Sequence, residues 1–154
     1  MIELNLPTYS YQLKRADDGS VMIWDGVRRK YVVLTPEEWV RQHFIAFLTQ
    51  HKHYPQGCIG NEISVSLNGM QRRCDSIVYD EYARPFMIVE YKAPHVAITQ
   101  KVFDQIVRYN MVYNVPYLIV SNGMTHYCCQ IDYNAKSYRY LPSIPCYNEL
   151  ERVE

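Results

Sequence analysis

Apolar residues recur along this chain with two spacings, one typical of helices and one typical of strands. Val40, Phe44 and Leu48 follow one another at intervals of four residues, as expected for a helix with one face in the core. Thr35 and Pro36 precede them, and these residue types are common at the N-cap and in the first turn of a helix. The sequence therefore predicts a helix that begins after Thr35.

Alternation of apolar and polar residues predicts a β-hairpin further along the chain. Ile63, Val65 and Leu67 are separated by serines, so that they would lie on one face of a strand. The pair Asn68–Gly69 follows, and both residue types adopt the positive φ angles that a type I′ turn requires. Such a turn pairs Leu67 with Met70 and leads into a second strand.

The remaining pattern places strands on both sides of a second helix, which runs roughly from Thr99 to Tyr113. This order is typical of an α/β or α+β fold with a central mixed β-sheet flanked by helices. Further strands are predicted at residues 29–34, 85–92, 116–122, 124–132 and 137–141. We expect a single domain over residues 1–154, with a core at 35–132, leading strands and turns at 1–34, and an irregular tail at 142–154.

The composition indicates a globular protein without an excess of charge of either sign. Hydrophobic residues make up 48% of the chain, which is too many for a disordered protein. The formal net charge is zero, so binding to nucleic acid would depend on a local basic patch. The five cysteines include no Cys-x-x-Cys pair, and the N-terminal residues resemble neither a signal peptide nor a membrane span. We expect a cytoplasmic protein with reduced thiols and no membrane association.

Three charged residues interrupt the predicted strands. Glu90 and Lys92 lie in an apolar strand, and Asp75 lies in the strand before it. Strand interiors favour β-branched and aromatic residues and disfavour Asp, Glu and Lys. These side chains therefore require either contact with water or a functional role.

The expected strand register brings acidic residues together. Counting outward from the hairpin turn places Glu62 opposite Asp75. If Tyr79 and Phe86 close the next loop, the same count places Asp75 opposite Glu90. Directly opposed residues have Cβ atoms roughly 4.5–5.5 Å apart. We therefore expect Glu62, Asp75 and Glu90 to form a row across three strands on one face of the sheet.

A row of carboxylates has the chemistry of a divalent-cation site. Neighbouring carboxylates raise one another's pKa values unless a cation lies between them. Mg²⁺ binds oxygen ligands, typically one or two carboxylates together with waters and substrate phosphates. Lys92, one pleat from Glu90, would stabilise an attacking water or the charge that develops on a phosphate. The alternative is that all these residues are solvated on an exposed sheet face.

The spacing of these residues resembles that of the PD-(D/E)XK nuclease superfamily. Asp75 is followed, after fourteen residues, by Glu90-x-Lys92 at the end of an apolar strand. The next predicted helix contains Gln105 and Tyr109, which resemble the Q-x-x-x-Y signature of the RecB-like and type I restriction branches. At this spacing the two side chains lie on one face of the helix.

The wider pattern over residues 35–123 resembles the N-terminal nuclease domain of type I restriction enzyme R subunits. The resemblance implies a restriction-endonuclease-like core and an Mg²⁺-dependent DNA endonuclease in which Mn²⁺ can substitute. It also implies DNA as substrate, with restriction-system subunits or a separate motor protein as partners. Cys74 replaces the proline of the motif, and the chain contains no GxxxxGK[ST] phosphate loop. We therefore expect a stand-alone domain, a fragment, or a relative with another task.

The resemblance assigns roles to individual residues. Asp75 and Glu90 would be catalytic metal ligands, with the main-chain carbonyl of Tyr91 as a third ligand, and Lys92 would be the catalytic lysine. Glu38 matches an acid that many members of the superfamily direct at the metal. The alternative role of Glu38 is to close a capping box with the residue that caps the first helix.

Other candidate residues are supported by single arguments. Glu62 enters the metal site through the strand count, and the alternative is an exposed acid on a strand. Gln105 and Tyr109 would touch substrate or orient Lys92, and the alternative is that they are ordinary half-buried helix residues. Arg73 would belong to a basic rim that binds phosphates. The other members of that rim are Arg72, Lys101 and Arg108.

A second functional hypothesis remains open at this point. A nuclease-like fold can serve as a module that binds nucleic acid or a protein partner without catalysis. The complete set of Asp75, Glu90 and Lys92 favours the enzyme. The missing motor favours the binding module.

Overall fold

Nine strands and two α-helices make up the regular structure of residues 1–152, the part of the chain that the computed structural model describes. The strands are β1 (Leu13–Arg15), β2 (Val21–Asp25), β3 (Lys30–Val33), β4 (Ile59–Leu67), β5 (Met70–Tyr79), β6 (Pro85–Tyr91), β7 (Tyr117–Ser121), β8 (His126–Asp132) and β9 (Ser137–Leu141). The helices are α1 (Pro36–His51) and α2 (Gln100–Met111). Short 3₁₀ turns occur at Gln56–Cys58 and Tyr147–Glu149.

The strands form two sheets of different size. Strands β1, β2 and β3 make a three-stranded antiparallel sheet, and β4 to β9 make a six-stranded sheet in chain order. Neighbouring strands of the large sheet are antiparallel except for β6 and β7, which are parallel. Parallel neighbours need a long crossover, and α2 provides it. The predicted central mixed sheet flanked by helices is therefore confirmed.

The two helices cover opposite faces of the large sheet. Ile119 packs in the core with α1, whereas Leu118 and Val120 on either side of it pack in the core with α2. Ile23 of the small sheet also belongs to the α1 core. Helix α1 therefore lies between the large sheet and the N-terminal strands, which explains why residues 38–46 of this helix are all buried.

Local signals set the ends of the helices. The Thr35 hydroxyl accepts a hydrogen bond from the Glu38 N–H at 3.0 Å, as the sequence predicted for an N-cap. Helix α2 has an equivalent cap in Thr99, and it ends at Met111 rather than at Tyr113. No helix within residues 1–152 is long and apolar enough to cross a bilayer.

The first hairpin has the predicted turn and register. Asn68 and Gly69 have φ angles of 51° and 78°, and Leu67 pairs with Met70. The ladder then continues to Ile63, which pairs with Cys74. A type I′ turn, which needs positive φ at both central residues, explains this register.

The second loop corrects one expected pair. Tyr79 pairs with Pro85 and not with Phe86, and the register shifts between Val78 and Tyr79. The Asp80 carboxylate accepts two backbone N–H hydrogen bonds within the loop, at 2.8 and 3.0 Å. These bonds form a tight turn, so that Tyr79 pairs with Pro85, one residue before the expected Phe86.

Beyond this irregularity the register agrees with the sequence. Ser76 pairs with Val89. The next position outward places Asp75 across from Glu90, as expected from the sequence.

The C-terminal segment packs against the core, although it is largely irregular. Ile144, Tyr147 and Leu150 are buried with α1 and the large sheet. The Tyr147 hydroxyl donates a hydrogen bond to the Tyr79 carbonyl at 2.8 Å. This segment therefore covers the end of the second hairpin.

Candidate functional site

Strand β4 changes the direction of its side chains at Glu62. Glu62 has a φ angle of 54°, which is uncommon for a residue other than glycine. A Cβ atom at Gly60 would lie 2.2 Å from Cδ1 of Ile63. These two residues, three apart, therefore lie on the same side of the strand, whereas regular alternation would put them on opposite sides.

Two arginines bind the Glu62 carboxylate. Arg41 of α1 donates to Oε1 at 2.9 Å, and Arg73 of β5 donates to Oε2 at 2.7 and 3.0 Å. Partial burial acts to raise the pKa of Glu62, but the hydrogen bonds and charges of the two arginines outweigh it and the pKa is lowered. We had expected neighbouring carboxylates to raise the pKa of Glu62 unless a cation lay between them. The guanidinium groups of Arg41 and Arg73 beside Glu62 explain why its pKa is lowered instead.

Asp75 lies half-buried between β4 and β6. Its Oδ2 atom accepts the N–H of Tyr91 at 3.0 Å, and its main-chain carbonyl accepts a hydrogen bond from Arg41 at 2.7 Å. A cavity of about 30 Å³ adjoins the residue. It is lined by Glu37, Arg41, Glu62, Asp75 and Tyr91. The cavity is large enough for a water molecule or a small ion.

Glu90 lies on the α2 side of the sheet. Arg72 of β5 forms an ion pair with Oε1 of Glu90, and Asn110 of α2 donates to the same oxygen at 3.3 Å. Arg72 also donates to Oδ1 of Asn110 at 3.1 Å. The side chains of Arg72 and Glu90 are only 12% and 15% exposed, so this pair is largely removed from solvent.

The predicted row of three carboxylates on one sheet face does not form. Glu62 contacts Arg41 of α1, whereas Glu90 contacts Asn110 of α2, and these helices cover opposite faces. The backbone positions do line up across the strands, as the register predicted. The side chains diverge because the positive φ of Glu62 interrupts the alternation on which the expectation depended.

Glu38 is held by a different set of basic residues. Its carboxylate accepts hydrogen bonds from Arg28 at 2.8 Å, from Arg41 at 2.9 Å through each of two nitrogens, and from Gln42 at 2.9 Å. Burial acts to raise the pKa of Glu38, but Arg41, Gln42 and Arg28 together lower it. All four of these hydrogen bonds come from side chains, so the carboxylate does not close a capping box with the Thr35 N–H. It anchors Arg41.

A buried chain of hydrogen bonds fixes the ring of Tyr91. The Tyr91 hydroxyl donates to Ser76 at 2.8 Å, Ser76 donates to Asn61 at 2.6 Å, and Asn61 donates to Asp25 at 3.1 Å. Asp25 in turn forms an ion pair with Arg28. The backbone of Tyr91, which lies between Glu90 and Lys92, is therefore rigidly held.

Lys92 follows directly after β6. Its N–H donates to the Ser121 carbonyl at 2.8 Å, which extends the parallel pairing with β7 by one residue. None of the ion pairs within residues 1–152 involves Lys92. Its ammonium group therefore differs from the guanidinium groups of Arg41, Arg72 and Arg73, which pair with carboxylates.

The Q-x-x-x-Y residues lie on the solvent-facing side of α2. Gln105 is exposed, and Tyr109 is 65% exposed with its ring centroid 6.3 Å from that of Tyr113. Neither residue is half-buried, so they do not behave as ordinary core-facing positions. Arg73 is also exposed, with 67% of its side chain accessible.

A match to a family model identifies the family of this chain. The family model for the N terminus of the type I restriction enzyme R protein (HSDR_N) matches residues 36–145. The chain belongs to this family. The match includes α1, the whole of the Asp75 and Glu90-x-Lys92 region, and α2. No curated protein matches the sequence.

A solved structure supports the fold of this R-subunit domain. The structure, described as a fragment of an HsdR subunit of a type I restriction enzyme from Vibrio vulnificus YJ016, superposes with a TM-score of 0.52 at 20% identity. The match covers 76% of this chain and 24% of that chain. The R-subunit domain therefore corresponds to about a quarter of the chain that it matches.

The donor atoms near Asp75 have the chemistry that Mg²⁺ requires, although they do not form a completed site. The carboxylates of Asp75 and Glu90 and the carbonyl of Tyr91 are hard oxygen donors on neighbouring strands. Within residues 1–152, however, no three His, Cys, Asp or Glu residues are grouped so that they could hold a metal ion. Arg72 forms an ion pair with the Glu90 carboxylate in this arrangement. The residue types fit a divalent cation if Glu90 exchanges its partner.

The sequence did not indicate the residues that organise the site. Arg41 binds Glu38, Glu62 and the Asp75 carbonyl, and Asn110 binds Glu90. The spacing of Glu38 and Arg41, three apart on one helix, was a usable signal for the first contact. We had placed Arg72 in a basic rim that binds phosphates, whereas its side chain is largely buried and pairs with Glu90.

Proposed function

We propose that this R-subunit domain is an Mg²⁺-dependent DNA endonuclease that hydrolyses phosphodiester bonds. The observation that carries the proposal is the register of β5 and β6, in which Ser76 pairs with Val89. Continued by one position, this register places Asp75 across from Glu90, which precedes Lys92 by two residues. The family of the chain and its fold support the same reading.

Asp75, Glu90 and the Tyr91 carbonyl would hold the cation. When bound, the cation lowers the pKa of a coordinated water and stabilises negative charge on the phosphate. The hydrogen bond from the Tyr91 N–H to Asp75 orients that carboxylate, and the buried network around the Tyr91 ring keeps the carbonyl in position. Glu90 can serve as a ligand only after Arg72 has left it.

Lys92 would stabilise the negative charge that develops on the phosphate. In the hydrolysis, a water oxygen forms a bond to phosphorus, the bond to the leaving oxygen breaks, and the leaving oxygen takes up a proton. An ammonium group next to the reacting phosphate favours the transition state by a fixed charge. Lys92 is suited to this role because none of the ion pairs within residues 1–152 engages it.

The DNA would contact the exposed side of α2, where Gln105 and Tyr109 are exposed. Arg73 is largely exposed on β5 but pairs with Glu62 on the α1 side, so it would bind a phosphate apart from these two residues. Because the net charge of the chain is zero, binding depends on such local groups. We expect the affinity of the isolated domain for DNA to be low and to fall steeply with salt.

We propose that this domain acts together with other proteins of a restriction system. The match to about a quarter of a longer subunit supports the proposal that restriction-system subunits or a separate motor protein act with this domain. A cytoplasmic location is part of the same proposal.

The second candidate function is a binding module with no catalytic activity. It is favoured by the arginines that pair with Glu38, Glu62 and Glu90, since these guanidinium groups already balance the charge of the carboxylates. In this case the domain binds nucleic acid or a protein partner through the same surface.

Plasmid nicking separates the two functions. Supercoiled plasmid is incubated at low salt with millimolar Mn²⁺ and a high concentration of either the wild type or Lys92→Ala. We expect slow nicking by the wild type and none by Lys92→Ala, which retains both carboxylates. Equal nicking by the two proteins indicates a contaminating nuclease. Absence of nicking by both, with DNA or partner binding retained, supports the binding module.

A further inference from the structure

The ion pair between Arg72 and Glu90 occupies a carboxylate that the proposed metal site needs. Arg72 and Asn110 both bind the same oxygen, Oε1 of Glu90. This carboxylate is 15% exposed. A divalent cation that binds this oxygen therefore has to compete with a guanidinium group that already neutralises it.

One N–H group of Arg72 lacks a hydrogen-bond acceptor at this position. Its Nε atom is buried and has no hydrogen-bond partner within residues 1–152. A buried donor that is left without an acceptor destabilises the arrangement that contains it. The arrangement is therefore suited to exchange, because Arg72 would regain a partner for Nε by moving to a fuller set of acceptors.

A path leads from Arg72 to the surface of α2. The guanidinium lies over the ring of Tyr113, 5.4 Å from its centroid, and the Tyr113 ring contacts the exposed Tyr109. A phosphate that approaches Tyr109 therefore comes toward Arg72 along these two rings.

We propose that Arg72 is an exchangeable counter-ion of Glu90, which occupies the site until a DNA phosphate takes the guanidinium and leaves Glu90 to the divalent cation. The inference rests on the proposed function, since it concerns the same site. Arg72 acts through Glu90 and is thus a positioning residue. Phosphate is a suitable acceptor because guanidinium groups bind phosphate oxygens in pairs.

This exchange makes DNA and metal bind cooperatively. DNA draws Arg72 away from Glu90 and so frees this carboxylate for the metal. The metal binds Glu90 and so frees Arg72 for a DNA phosphate. Coupling between two binding equilibria is reciprocal, and its usual size is a factor of about 5 to 150. The domain would consequently bind little metal until DNA is present. Without the metal it would not hydrolyse phosphodiester bonds.

Calorimetric titration of Mn²⁺ into DNA-free protein tests the competition. Arg72→Gln removes the charge that competes at Glu90, so we expect its Mn²⁺ affinity to exceed that of the wild type by about tenfold, within the usual range of such couplings. Arg84→Gln is the matched control, because Arg84 is exposed, pairs with Asp80 at a distant turn, and carries the same charge. We expect Arg84→Gln to bind Mn²⁺ as the wild type does.

Asn110→Ala provides a second variant that retains both charges. It removes an amide that binds Arg72 and Glu90 together, and alanine is compatible with the interior of α2. We expect a smaller increase of Mn²⁺ affinity in the same direction. This variant keeps the test decisive if Arg72→Gln does not fold.

The dependence on DNA is measured in a Lys92→Ala background, which we expect not to cleave. A short DNA duplex should raise the Mn²⁺ affinity when Arg72 is present and raise it much less in the Arg72→Gln, Lys92→Ala double variant. The charge-retaining Arg72→Lys variant should restore part of the DNA dependence. A merely structural role of Arg72 would lower the melting temperature without changing this dependence.

The outcomes separate failure of the inference from failure of the proposed function. If the wild type binds Mn²⁺ and neither Arg72→Gln nor Asn110→Ala binds it more tightly, the counter-ion role is overturned and the metal site stands. If Glu90→Gln in the Arg72→Gln background leaves a gained affinity unchanged, the metal is not at Glu90 and the inference is also overturned. If no variant binds Mn²⁺ with or without DNA, the inference and the metal-dependent function fail together.

Discussion

Arg41 and Glu38 form a doubly hydrogen-bonded ion pair inside α1, with both nitrogen–oxygen distances at 2.9 Å. The remaining terminal nitrogen of Arg41 donates to Glu62 of β4 and to the Asp75 carbonyl of β5. One buried guanidinium therefore joins α1 to both strands of the first hairpin. Its position determines the shape of the small cavity next to Asp75.

Replacement of Arg41 should destabilise the fold strongly. Arg41→Met leaves the carboxylate of Glu38 buried with less positive charge around it, and loss of one partner of a buried ion pair typically costs about 3–5 kcal/mol. Urea denaturation measures the free energy of unfolding. The control is Arg15→Met at an exposed arginine of β1, which should change it by less than about 0.5 kcal/mol. A comparably small effect for Arg41→Met would mean that the network does not hold the hairpin to α1.

Stability should fall in acid in two stages. Burial lowers the pKa of His43 and of His126 below the ordinary value of 6.5, so that the unfolded chain takes up protons first as the pH falls below that value. Hydrogen bonds to arginine lower the pKa of Glu38 and Glu62 below 4.5 despite their burial. By linkage, both groups contribute stability that is complete above their ordinary pKa values and is lost as the pH falls through the lowered ones.

Denaturation curves at a series of pH values test both stages. The free energy of unfolding should decline below about pH 6.5 and decline again below about pH 4.5. His126→Gln should remove part of the first decline, whereas His95→Gln at an exposed histidine should not. A stability that is constant between pH 7 and pH 5 would contradict the assignment of neutral, buried histidines.

The two proposed metal ligands should differ in their effect on stability. Glu90→Ala leaves Arg72 largely buried without its carboxylate, so we expect a lower melting temperature together with loss of Mn²⁺ binding. Asp75→Asn retains an oxygen that can accept the Tyr91 N–H, so we expect loss of Mn²⁺ binding with little change in melting temperature. Calorimetry with a DNA duplex present and Lys92 replaced by alanine, together with thermal melting of both variants, gives the comparison. Unchanged Mn²⁺ binding in both would exclude these two carboxylates as ligands.

Gln105 and Tyr109 should matter for DNA binding and not for folding. Both side chains are exposed on α2, so alanine substitution should change the free energy of unfolding by less than about 0.5 kcal/mol. Loss of an aromatic ring that stacks on a base costs about 1–3 kcal/mol of binding. Fluorescence anisotropy with a labelled duplex and with a single strand measures the affinity. Destabilisation without loss of affinity would assign these residues a structural role.

Repeating patterns in the sequence predicted the parts of the fold that depend on neighbours along the chain. The Asn68–Gly69 turn and the alternation after it determine the register of the first hairpin, because a two-residue turn allows only one pairing. Thr35 similarly determined the start of α1. The register of β5 and β6 survived an error at the loop, since the irregularity next to Asp80 is confined to the last pair of the ladder.

The candidate site was less predictable because its contacts join residues that are distant in sequence. Nothing periodic indicates that Arg72 will pair with Glu90 or that Arg41 will bind Glu62. The direction of the Glu62 side chain depends on one positive φ angle, for which glutamate gives no sequence signal. The resemblance to a nuclease motif indicated the strands of the candidate site, and the electrostatic surroundings of each carboxylate required the three-dimensional structure.

The central claim is that Asp75 and Glu90 bind one divalent cation beside Lys92. Anomalous difference density from crystals soaked in Mn²⁺, with a DNA duplex present and Lys92 replaced by alanine, tests it directly. We predict one peak roughly 2.0–2.6 Å from oxygens of both carboxylates, with Arg72 displaced from Glu90. Density at neither carboxylate, with the ion pair of Arg72 and Glu90 intact in the presence of DNA and Mn²⁺, would contradict the account.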